Sequence, residues 1–415
     1  MDYSSSCGRV EGTLTPPCSK SYAQRALAIS LLAEGTTTLR NMDYCQDTRS
    51  ALGCIRTLGA RVTELDPSVL SIEGGIRPLD LRLQVGESGL ASRLFTPIAA
   101  LADCPIRIEG SGSLLERPMQ MMIDPLRRLG VEVSDTLGHL PFEVCGPIRG
   151  GEIEVDGSVS SQFITGLLIA LPMAQEDTTL HVVDPVSIPY LDMTIDTAAR
   201  FGVEIFHKEY REFFIPGGQR YQAIDHTIEG DWSAAAMLCV AGAVAGEVRV
   251  EHVSMLSKQA DTAILDALVR AGASVINEEQ AVTVARRELH GFEFDATHCP
   301  DLFPALAVLA AAAEGETVIY GTHRLIHKES NRAEAIRKEF TKLGIEVDLS
   351  EEDTMRIRGG KIRSGVVESH NDHRMAMALA VAGLLSDGEV TIKDAACVAK
   401  SYPQFFDDLD RIRVK

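Results

Sequence analysis

The sequence predicts a two-lobed α/β protein built from six similar units. Two observations indicate this: the length of 415 residues, and two sequence patterns that recur about every 70 residues along the chain. A single hydrophobic core rarely serves more than about 300 residues, so a chain of this length is expected to form two domains. Six units divided between two domains place three units in each lobe.

The first pattern marks the end of a helix and the start of a strand. It reads as a small or aliphatic residue, a glycine, an aliphatic residue, any residue and a β-branched residue. Its glycines are spaced by 70 to 72 residues, at Gly59, Gly130, Gly202, Gly272 and Gly344. Glycine at this place is typical of a helix C-terminus, and a β-branched segment after it predicts a strand. A turn and a second strand follow each copy.

The second pattern is an apolar helix, a short acidic or glycine-containing turn and a strand. Six copies end at residues 33–36, 102–105, 175–178, 245–248, 314–317 and 386–389. Because the first pattern occurs five times, the sixth unit is incomplete, and we expect the N-terminal strand at residues 10–14 to complete it. This predicts a discontinuous C-terminal lobe, residues 1–18 plus 230–415, and an N-terminal lobe, residues 19–229.

The first helix of each unit is apolar on nearly every side. Residues 164–174, 234–245 and 303–313 are examples. A helix without a polar face is buried, so these helices are expected to lie inside each lobe beneath the strands. Polar residues gather at their N-termini, at residues 19–21, 87–89, 160–162, 231, 301 and 371–374.

Several cations lie near these helix starts, where the helix dipole disfavours positive charge. N-capping explains the Ser, Asp and Asn residues, and we favour it for Asp231. Capping does not explain Lys20, Arg25, His373 and Arg374. A bound anion would explain these cations, because helix N-termini bind anions. Further cations recur near equivalent points of the repeats, at Arg117, Lys328, Arg332 and Lys400. In a chain of net charge −19, this concentration predicts that two or three anionic groups bind together.

The composition excludes several other partners. A net charge of −19 argues against nucleic acid or an anionic membrane surface. The polar N-terminus lacks the apolar segment of a signal peptide, and the longest weakly polar run, residues 232–246, is short for a membrane span. Nine cysteines without a C-x-x-C pair favour a reducing compartment, and no clustered His and Cys set suggests a metal site.

Several of these segments together resemble the 5-enolpyruvylshikimate-3-phosphate (EPSP) synthase family. The runs D-G-S-x-S-S-Q, K-E-x-x-R and N-D-H-R-M-A-M are specific to it, and the matching segments follow the family's order along essentially the whole chain. They are residues 19–27, 116–118, 156–163, 300–302, 328–332, 371–377 and 399–401. The resemblance implies an inside-out α/β barrel of six βαβαββ units, with ligands bound where the helix N-termini of both lobes face each other.

The resemblance also implies the reaction. Such enzymes transfer the enolpyruvyl group of phosphoenolpyruvate to the 5-hydroxyl of shikimate 3-phosphate and release phosphate, on the route to chorismate and the aromatic amino acids. It implies addition and elimination through a tetrahedral intermediate, without a metal or organic cofactor, in a cytoplasmic enzyme that we expect to be a monomer. The catalytic residues by this interpretation are Glu329 for the C3 proton, Asp301 for the hydroxyl proton, Lys20 at the bridging oxygen, and His373 in support.

Two ligand sets follow from the same resemblance. The shikimate 3-phosphate set comprises Lys20, Ser21, Arg25, Ser160, Ser161, Gln162, Ser187, Tyr190, Asp301 and Lys328. The phosphoenolpyruvate set comprises Lys20, Gly89, Arg117, Gln162, Arg332, Arg374 and Lys400. The sequence departs from the family where Glu87 and Arg324 replace a frequent Asn. The Glu87 carboxylate would repel a phosphate unless it were paired or turned away. Leu90 beside Gly89 leaves sensitivity to glyphosate open.

Two other interpretations remain open at this point. The related UDP-N-acetylglucosamine enolpyruvyl transferases generally carry a catalytic Cys in the loop equivalent to residues 111–117, and this segment contains none. The second alternative is a non-catalytic repeat clamp or scaffold; a DNA clamp would need a basic channel and no inward acid–base pair. Exchange of the acceptor substrate tests the first alternative, and calorimetry with shikimate 3-phosphate and phosphoenolpyruvate tests the second.

Overall fold

The computed structural model describes residues 1–326 and 328–414. The chain divides into two compact units: a C-terminal unit, Met1–Pro17 with Glu229–Lys415, and an N-terminal unit, Cys18–Ile228. The boundaries expected from the sequence lie one residue away at each crossing. Among the described residues, none of the helices combines the length and the hydropathy needed to cross a bilayer.

Two short strands open the chain and belong to the C-terminal unit: β1 (Tyr3–Ser5) and β2 (Arg9–Leu14). The N-terminal unit then contains three repeats and a closing strand. The first repeat is α1 (Lys20–Leu32), β3 (Thr36–Arg40), α2 (Gln46–Thr57), β4 (Arg61–Asp66) and β5 (Val69–Glu73). The second is β6 (Arg82–Gln84), α3 (Gly89–Ala99), β7 (Pro105–Glu109), α4 (Gln120–Arg128), β8 (Glu132–Thr136) and β9 (His139–Cys145). The third is β10 (Gly151–Asp156), α5 (Ser161–Ala170), β11 (Thr178–Val183), α6 (Ile188–Arg200), β12 (Phe206–Lys208) and β13 (Glu212–Ile215), followed by β14 (Asp225–Thr227).

The rest of the C-terminal unit contains three further repeats. The fourth is α7 (Trp232–Ala245), β15 (Gly246–Glu251), α8 (Ile264–Arg270), β16 (Ser274–Asn277) and β17 (Ala281–Ala285). The fifth is β18 (Glu293–Asp295), α9 (Phe303–Ala312), β19 (Glu316–Tyr320), α10 (Arg332–Lys342), β20 (Glu346–Asp348) and β21 (Thr354–Arg358). The sixth is β22 (Gly365–Glu368), α11 (His373–Gly383), β23 (Val390–Lys393), α12 (Phe405–Arg411) and β24 (Arg413–Val414).

Each complete repeat is a βαβαββ unit with one four-stranded sheet. The strand orders are β6-β7-β9-β8, β10-β11-β13-β12 and β18-β19-β21-β20. In each sheet the first two strands are parallel, and the last two join antiparallel. A helix crosses over between the parallel strands, as parallel pairing requires. This repeated arrangement establishes the predicted α/β fold class with three sheets in each unit.

The first and fourth repeats take their leading strand from elsewhere in the chain. Strand β14 pairs parallel with β3, with Asp225 opposite Thr38. Strand β2 pairs parallel with β15, with Val10 opposite Gly246. The first and fourth repeats therefore each receive their first strand from a distant part of the chain.

The prediction that residues 10–14 complete the sixth repeat is wrong. Those residues lie in β2 and belong to the sheet of the fourth repeat, and β1 pairs antiparallel with β23 instead, with Tyr3 opposite Ile392. Strand β24 then pairs antiparallel with β2, with Val10 opposite Arg413. The fourth repeat needs a parallel strand before α7, and β2 supplies it, which leaves β1 for the sixth.

The local predictions agree with the structure. All five pattern glycines have positive φ angles, of 120°, 81°, 83°, 91° and 84° in chain order. Every residue of α7 except Ser233 is buried, and α9 is buried from Phe303 to Ala311. Helix α5 ends at Ala170 and a 3-10 turn, Leu171–Met173, follows, whereas we expected one helix over residues 164–174. Pro172, which has no N–H to donate, accounts for the early end.

Candidate active site

The polar residues at the helix starts act as N-caps. The side chain of Ser88 accepts a hydrogen bond from Ala91 N at 3.2 Å, and that of Ser160 accepts one from Gln162 N at 3.2 Å. Asp231 caps α7 through Ala234 N at 3.0 Å, as the capping interpretation predicted. Asp372 caps α11 through Arg374 N at 3.0 Å. Capping leaves the remaining N–H groups of these first turns pointing out of the helix ends.

Three predicted phosphoenolpyruvate residues meet at the start of α3 in the N-terminal unit. A Cβ placed on Gly89 would lie 2.3 Å from Arg117 Nη1 and 3.5 Å from Gln162 Oε1. The absence of a side chain at Gly89 thus leaves room for the Arg117 guanidinium. We call Gly89, Arg93, Arg117 and Gln162 the α3 cluster.

Arg93 is the member of the α3 cluster that the sequence reasoning missed. Its Nη1 donates to Gln162 Oε1 at 2.7 Å and its Nη2 to Pro118 O at 3.2 Å. Burial, with a further contribution from the nearby Arg117 charge, lowers the pKa of Arg93 to about 9. Arg93 could have been found by the same sequence signal that identified Arg25, because both arginines lie early in a helix whose start is polar.

Lys20 and Arg25 on α1 have partners within the N-terminal unit. Lys20 Nζ lies 3.0 Å from Asp47 Oδ2, and both side chains are 15% exposed. Arg25 is fully buried, and burial lowers its pKa to about 10. Its guanidinium donates to neutral groups: Thr194 Oγ1 at 2.9 Å, Ser21 O at 2.8 Å, Tyr190 O at 3.1 Å and Thr165 Oγ1 at 3.3 Å.

Arg25 therefore joins several predicted shikimate 3-phosphate residues. It contacts the backbone of Ser21 and Tyr190, and Ser187 O accepts a hydrogen bond from Tyr190 N at 3.0 Å. Ser187 precedes α6 in a left-handed conformation with φ of 55°. Ser160 and Ser161 lie at the start of α5, next to Gln162 of the α3 cluster. These residues connect the starts of α1, α5 and α6.

At position 87 the sequence has Glu where the family often has Asn, and the orientation of the Glu87 side chain accommodates this difference. Ser113 Oγ donates to Glu87 Oε2 at 3.3 Å, and a Cβ on Gly112 would lie 2.5 to 2.6 Å from the carboxylate oxygens. The carboxylate thus faces the turn at residues 112–113. The exclusion of Glu87 from the binding residues stays a prediction.

A second group of charges lies in the C-terminal unit around Asp301. The Asp301 carboxylate contacts Arg332 Nη1 at 2.8 Å, Arg374 Nη2 at 3.1 Å and Lys328 Nζ at 3.3 Å. Burial alone would raise the pKa of Asp301, but these three cations hold it well below its ordinary value. We call Asp301, Lys328, Glu329, Arg332 and Arg374 the Asp301 network.

Arg332 lies at the centre of this network, with a side chain that has no exposed surface. Besides Asp301 it donates to Glu329 Oε2 at 2.8 Å and to both oxygens of Asp372, at 2.9 and 3.3 Å. Four of its five N–H groups therefore bind carboxylates, which raise its pKa against the effect of burial. Sequence reasoning treated Arg332 as a cation that awaits an anion, and the structure gives it three protein anions.

The last two predicted site residues to be described are Lys400 and His373. Lys400 is buried and its Nζ donates to Asn371 O at 2.9 Å, directly before α11. His373 is buried at the first position of α11, with Nδ1 3.9 Å from Asp372 Oδ1. Both side chains therefore lie at the start of α11, where Arg374 also lies.

Asp261 is a buried carboxylate that sequence reasoning also missed. Burial, with the nearby charge of Asp301, raises its pKa to about 7, although Arg374 and Lys328 oppose the shift. It lies in a 3-10 turn, Ala260–Ala263, with no motif around it. Its environment comes from residues distant in sequence, so the sequence contained no signal for it.

Chemically, both clusters are suited to small anions. Each combines guanidinium groups, which form paired hydrogen bonds to phosphate or carboxylate, with the start of a buried helix. The C-terminal unit adds Glu329, a carboxylate with 24% of its side chain exposed that a proton can reach.

Comparison with known proteins identifies the chain's relatives. A sequence model described as EPSP synthase (3-phosphoshikimate 1-carboxyvinyltransferase) matches residues 5–409. The 3-phosphoshikimate 1-carboxyvinyltransferase of Clostridium acetobutylicum is 36% identical over 410 residues, covering 97% of this chain and 95% of the relative. That of Serratia proteamaculans is 37% identical over 413 residues, covering 97% and 96%. The solved EPSP synthase of Acinetobacter baumannii superposes with a TM-score of 0.85 at 27% identity, covering 100% and 98%.

With the six-repeat α/β architecture, these matches show that the chain belongs to the EPSP synthase family and is an enzyme that transfers the enolpyruvyl group of phosphoenolpyruvate to shikimate 3-phosphate.

Proposed function

We propose that phosphoenolpyruvate is bound by Gly89, Arg117 and Gln162 of the α3 cluster and by Arg332 and Arg374 of the Asp301 network, together with Lys20 and Lys400. The observation that supports this most directly is the close approach of Gly89, Arg117 and Gln162 at the start of α3. The two arginines of that cluster supply forked donors for an anionic group, and the Gly89 backbone leaves space above the helix end. Arg374 supplies a further guanidinium from the start of α11.

Arg332 contributes to phosphoenolpyruvate binding through its remaining donor. Four N–H groups are engaged by Asp301, Asp372 and Glu329, which leaves one N–H on Nη1 for a ligand. Its main effect is to hold these carboxylates in a fixed arrangement. This division of roles follows from its complete burial.

Shikimate 3-phosphate is bound by hydroxyl, amide and cationic groups at the starts of α1, α5 and α6. Ser160, Ser161 and Gln162 are placed to hold the phosphate at the N-terminus of α5. Lys20, Ser21, Arg25, Ser187 and Tyr190 supply the remaining contacts of the N-terminal unit. Asp301 and Lys328 contact the ring hydroxyls.

The reaction proceeds by addition and elimination. The 5-hydroxyl of shikimate 3-phosphate adds to C2 of phosphoenolpyruvate while C3 gains a proton. The C2–O bond to phosphate then breaks as C3 loses a proton, so that phosphate leaves and the double bond re-forms. One acid–base group at C3 must give and then take a proton. The surrounding cations stabilise the charge that develops on the leaving phosphate.

Glu329 is the acid–base group at C3 in this proposal. Its Oε2 accepts a hydrogen bond from Arg332 Nη2 at 2.8 Å, which orients the carboxylate while part of it stays accessible. Asp301 accepts the 5-hydroxyl proton. Because cations hold its pKa low, it orients the hydroxyl as an ionised acceptor and takes the proton only as the new C–O bond forms. Lys20 donates to the bridging oxygen, and His373 supports it.

Exchange of the phosphoenolpyruvate methylene protons with solvent tests the role of Glu329. We expect Glu329→Gln to abolish this exchange, because the amide cannot shuttle a proton, while both substrates still bind. Glu334→Gln is the matched control, since Glu334 lies five residues after Glu329 in the first turn of α10, is half exposed and pairs with Arg337 at 2.6 Å. Near-normal exchange in Glu329→Gln would remove Glu329 from the role.

A further inference from the structure

Glu339 is a buried carboxylate outside the proposed ligand sets. It lies on α10, two turns after Arg332, and its side chain has no exposed surface. Its Oε1 lies 2.8 Å from His370 Nε2, and its Oε2 accepts from Glu368 N at 3.0 Å and from Lys342 Nζ at 2.7 Å. Both oxygens are thus engaged, two of these contacts being with the segment that leads into α11.

That segment has an unusual backbone. His370 and Asn371 both have left-handed conformations, with φ angles of 54° and 53°. Residues other than glycine adopt this conformation at a cost, and it persists where the surroundings hold it in place. The hydrogen bond between His370 and Glu339 is such a constraint, because it ties the first of the two residues to α10.

The left-handed turn positions several groups of the proposed site. Asn371 O accepts from Lys400 Nζ at 2.9 Å. Asp372, the next residue, caps α11 at Arg374 N and binds Arg332 through both carboxylate oxygens. Three cations proposed to bind phosphoenolpyruvate therefore depend on where this turn lies.

The same residues could be considered as a metal site, because the ligand atoms of Glu339, Glu368 and His370 lie within 4.8 Å of one another. The neighbouring charges oppose this. Lys342 Nζ contacts Glu339 at 2.7 Å, and Lys338 Nζ lies 3.9 Å from Glu339 and 3.7 Å from Glu368. Two ammonium groups at the cluster already neutralise its charge, and they would repel a divalent cation.

We infer that His370 and Glu339 form a positioning pair that holds the turn before α11, and with it the cations that bind phosphoenolpyruvate. This inference rests on the proposed function, since it assumes that Arg332, Arg374 and Lys400 contact that substrate. The pair acts through the turn and touches neither substrate. Its loss should weaken phosphoenolpyruvate binding and leave the shikimate 3-phosphate residues of the N-terminal unit unaffected.

A comparison of two amide variants tests the inference. In His370→Gln the amide nitrogen extends as far as Nε2 and can still donate to Glu339, whereas in His370→Asn it falls short. Asn tolerates the left-handed conformation better than most residues, so His370→Asn removes the hydrogen bond without straining the backbone. We expect His370→Asn to raise the KM for phosphoenolpyruvate about tenfold, the effect of losing a hydrogen bond to a charged group. The KM for shikimate 3-phosphate should stay unchanged, and His370→Gln should behave as wild type.

Three outcomes would overturn the inference. One is a wild-type KM for phosphoenolpyruvate in His370→Asn. Another is a fall in kcat with both KM values unchanged, after correction for the folded fraction by thermal melting, which would indicate a structural role alone. The third is activity that EDTA abolishes and Zn²⁺ restores, which would make the cluster a metal site. Arg374→Gln measured in parallel separates this inference from the proposed function: if it leaves the KM for phosphoenolpyruvate unchanged, the proposed ligand set fails first.

Discussion

At the scale of single residues, Gly89 shows how a missing side chain leaves room for a guanidinium at a proposed binding position. A methyl group there would lie 2.3 Å from Arg117 Nη1 and 3.3 Å from Arg93 Nη1, so Gly89→Ala must displace the Arg117 guanidinium. We predict that the KM for phosphoenolpyruvate rises about tenfold or more, as expected when a charge-assisted hydrogen bond is lost.

The KM for shikimate 3-phosphate and the melting temperature serve as internal controls for Gly89→Ala. Both should change little, because the group that must move is the flexible end of a long side chain. A variant with a wild-type KM for phosphoenolpyruvate would show that Arg117 does not contact that substrate.

Asp261 predicts a distinctive pH dependence of stability. Its pKa is about 7 in the folded protein, raised by burial and by the charge of Asp301, against about 4 in an unfolded chain. Between these values the folded state alone keeps the proton, so the free energy of unfolding falls as pH rises from about 4 to about 7. Three pKa units correspond to on the order of 4 kcal/mol as an upper limit.

Urea unfolding of wild type and Asp261→Asn across pH 4.5 to 7.5 measures this contribution. Relative to wild type, the variant should gain stability steadily as pH rises, because Asn does not titrate. Asp301, whose pKa is lowered, affects stability below about pH 4 and so lies outside this window. Parallel curves for the two proteins would contradict the prediction.

The pairing of charges was the part of the site that the sequence could not predict. Motif residues such as Lys20, Asp301 and Arg374 could be selected because their types and spacing match a family. Arg332 binds Asp301 and Asp372, which are 31 and 40 residues away in sequence, so its partners depend on tertiary structure. Arg93 and Asp261 have no motif of their own, and burial beside other charges distinguishes them.

At the scale of elements, the contact between α3 and α5 depends on Gly166. A Cβ at Gly166 would lie 2.5 Å from Arg93 O and 3.0 Å from Leu94 O, both backbone atoms that cannot rotate away. We predict that Gly166→Ala destabilises the protein by about 1 to 3 kcal/mol, the usual effect of overpacking a core.

Gly53→Ala is the matched control for Gly166→Ala. Gly53 also lies within a helix, α2, and a Cβ there would meet no atom within 4 Å. It should stabilise the protein by up to about 1 kcal/mol, because alanine is the better helix former. Equal thermal stability of the two variants would show that α3 and α5 can separate without loss.

The elements themselves were largely predictable because their signals are local. The helix-end glycines have positive φ at all five sites, and the apolar helices are buried. Strand pairing is not local: nothing in the sequence of residues 3–14 specifies that β1 joins β23 while β2 joins β15. That distinction is decided when distant strands compete for the same sheet edges.

At the scale of the whole molecule, charge is distributed unevenly. The chain has a net charge of −19, yet buried arginines gather near helix starts in both units, and the buried Lys400 lies beside the start of α11. A buried cation needs compensating partners, which are carboxylates of the protein at Arg332 and neutral oxygen atoms at Arg25. A strongly acidic protein thereby retains local sites for two anionic substrates.

The release of inorganic phosphate tests the central claim most directly. Wild-type protein is incubated with shikimate 3-phosphate and phosphoenolpyruvate together, and with each substrate alone, without added metal. The account predicts steady phosphate release that requires both substrates and that falls sharply in Arg374→Gln at limiting phosphoenolpyruvate. Release from phosphoenolpyruvate alone, release with UDP-N-acetylglucosamine as acceptor in place of shikimate 3-phosphate, or no release at all would contradict it.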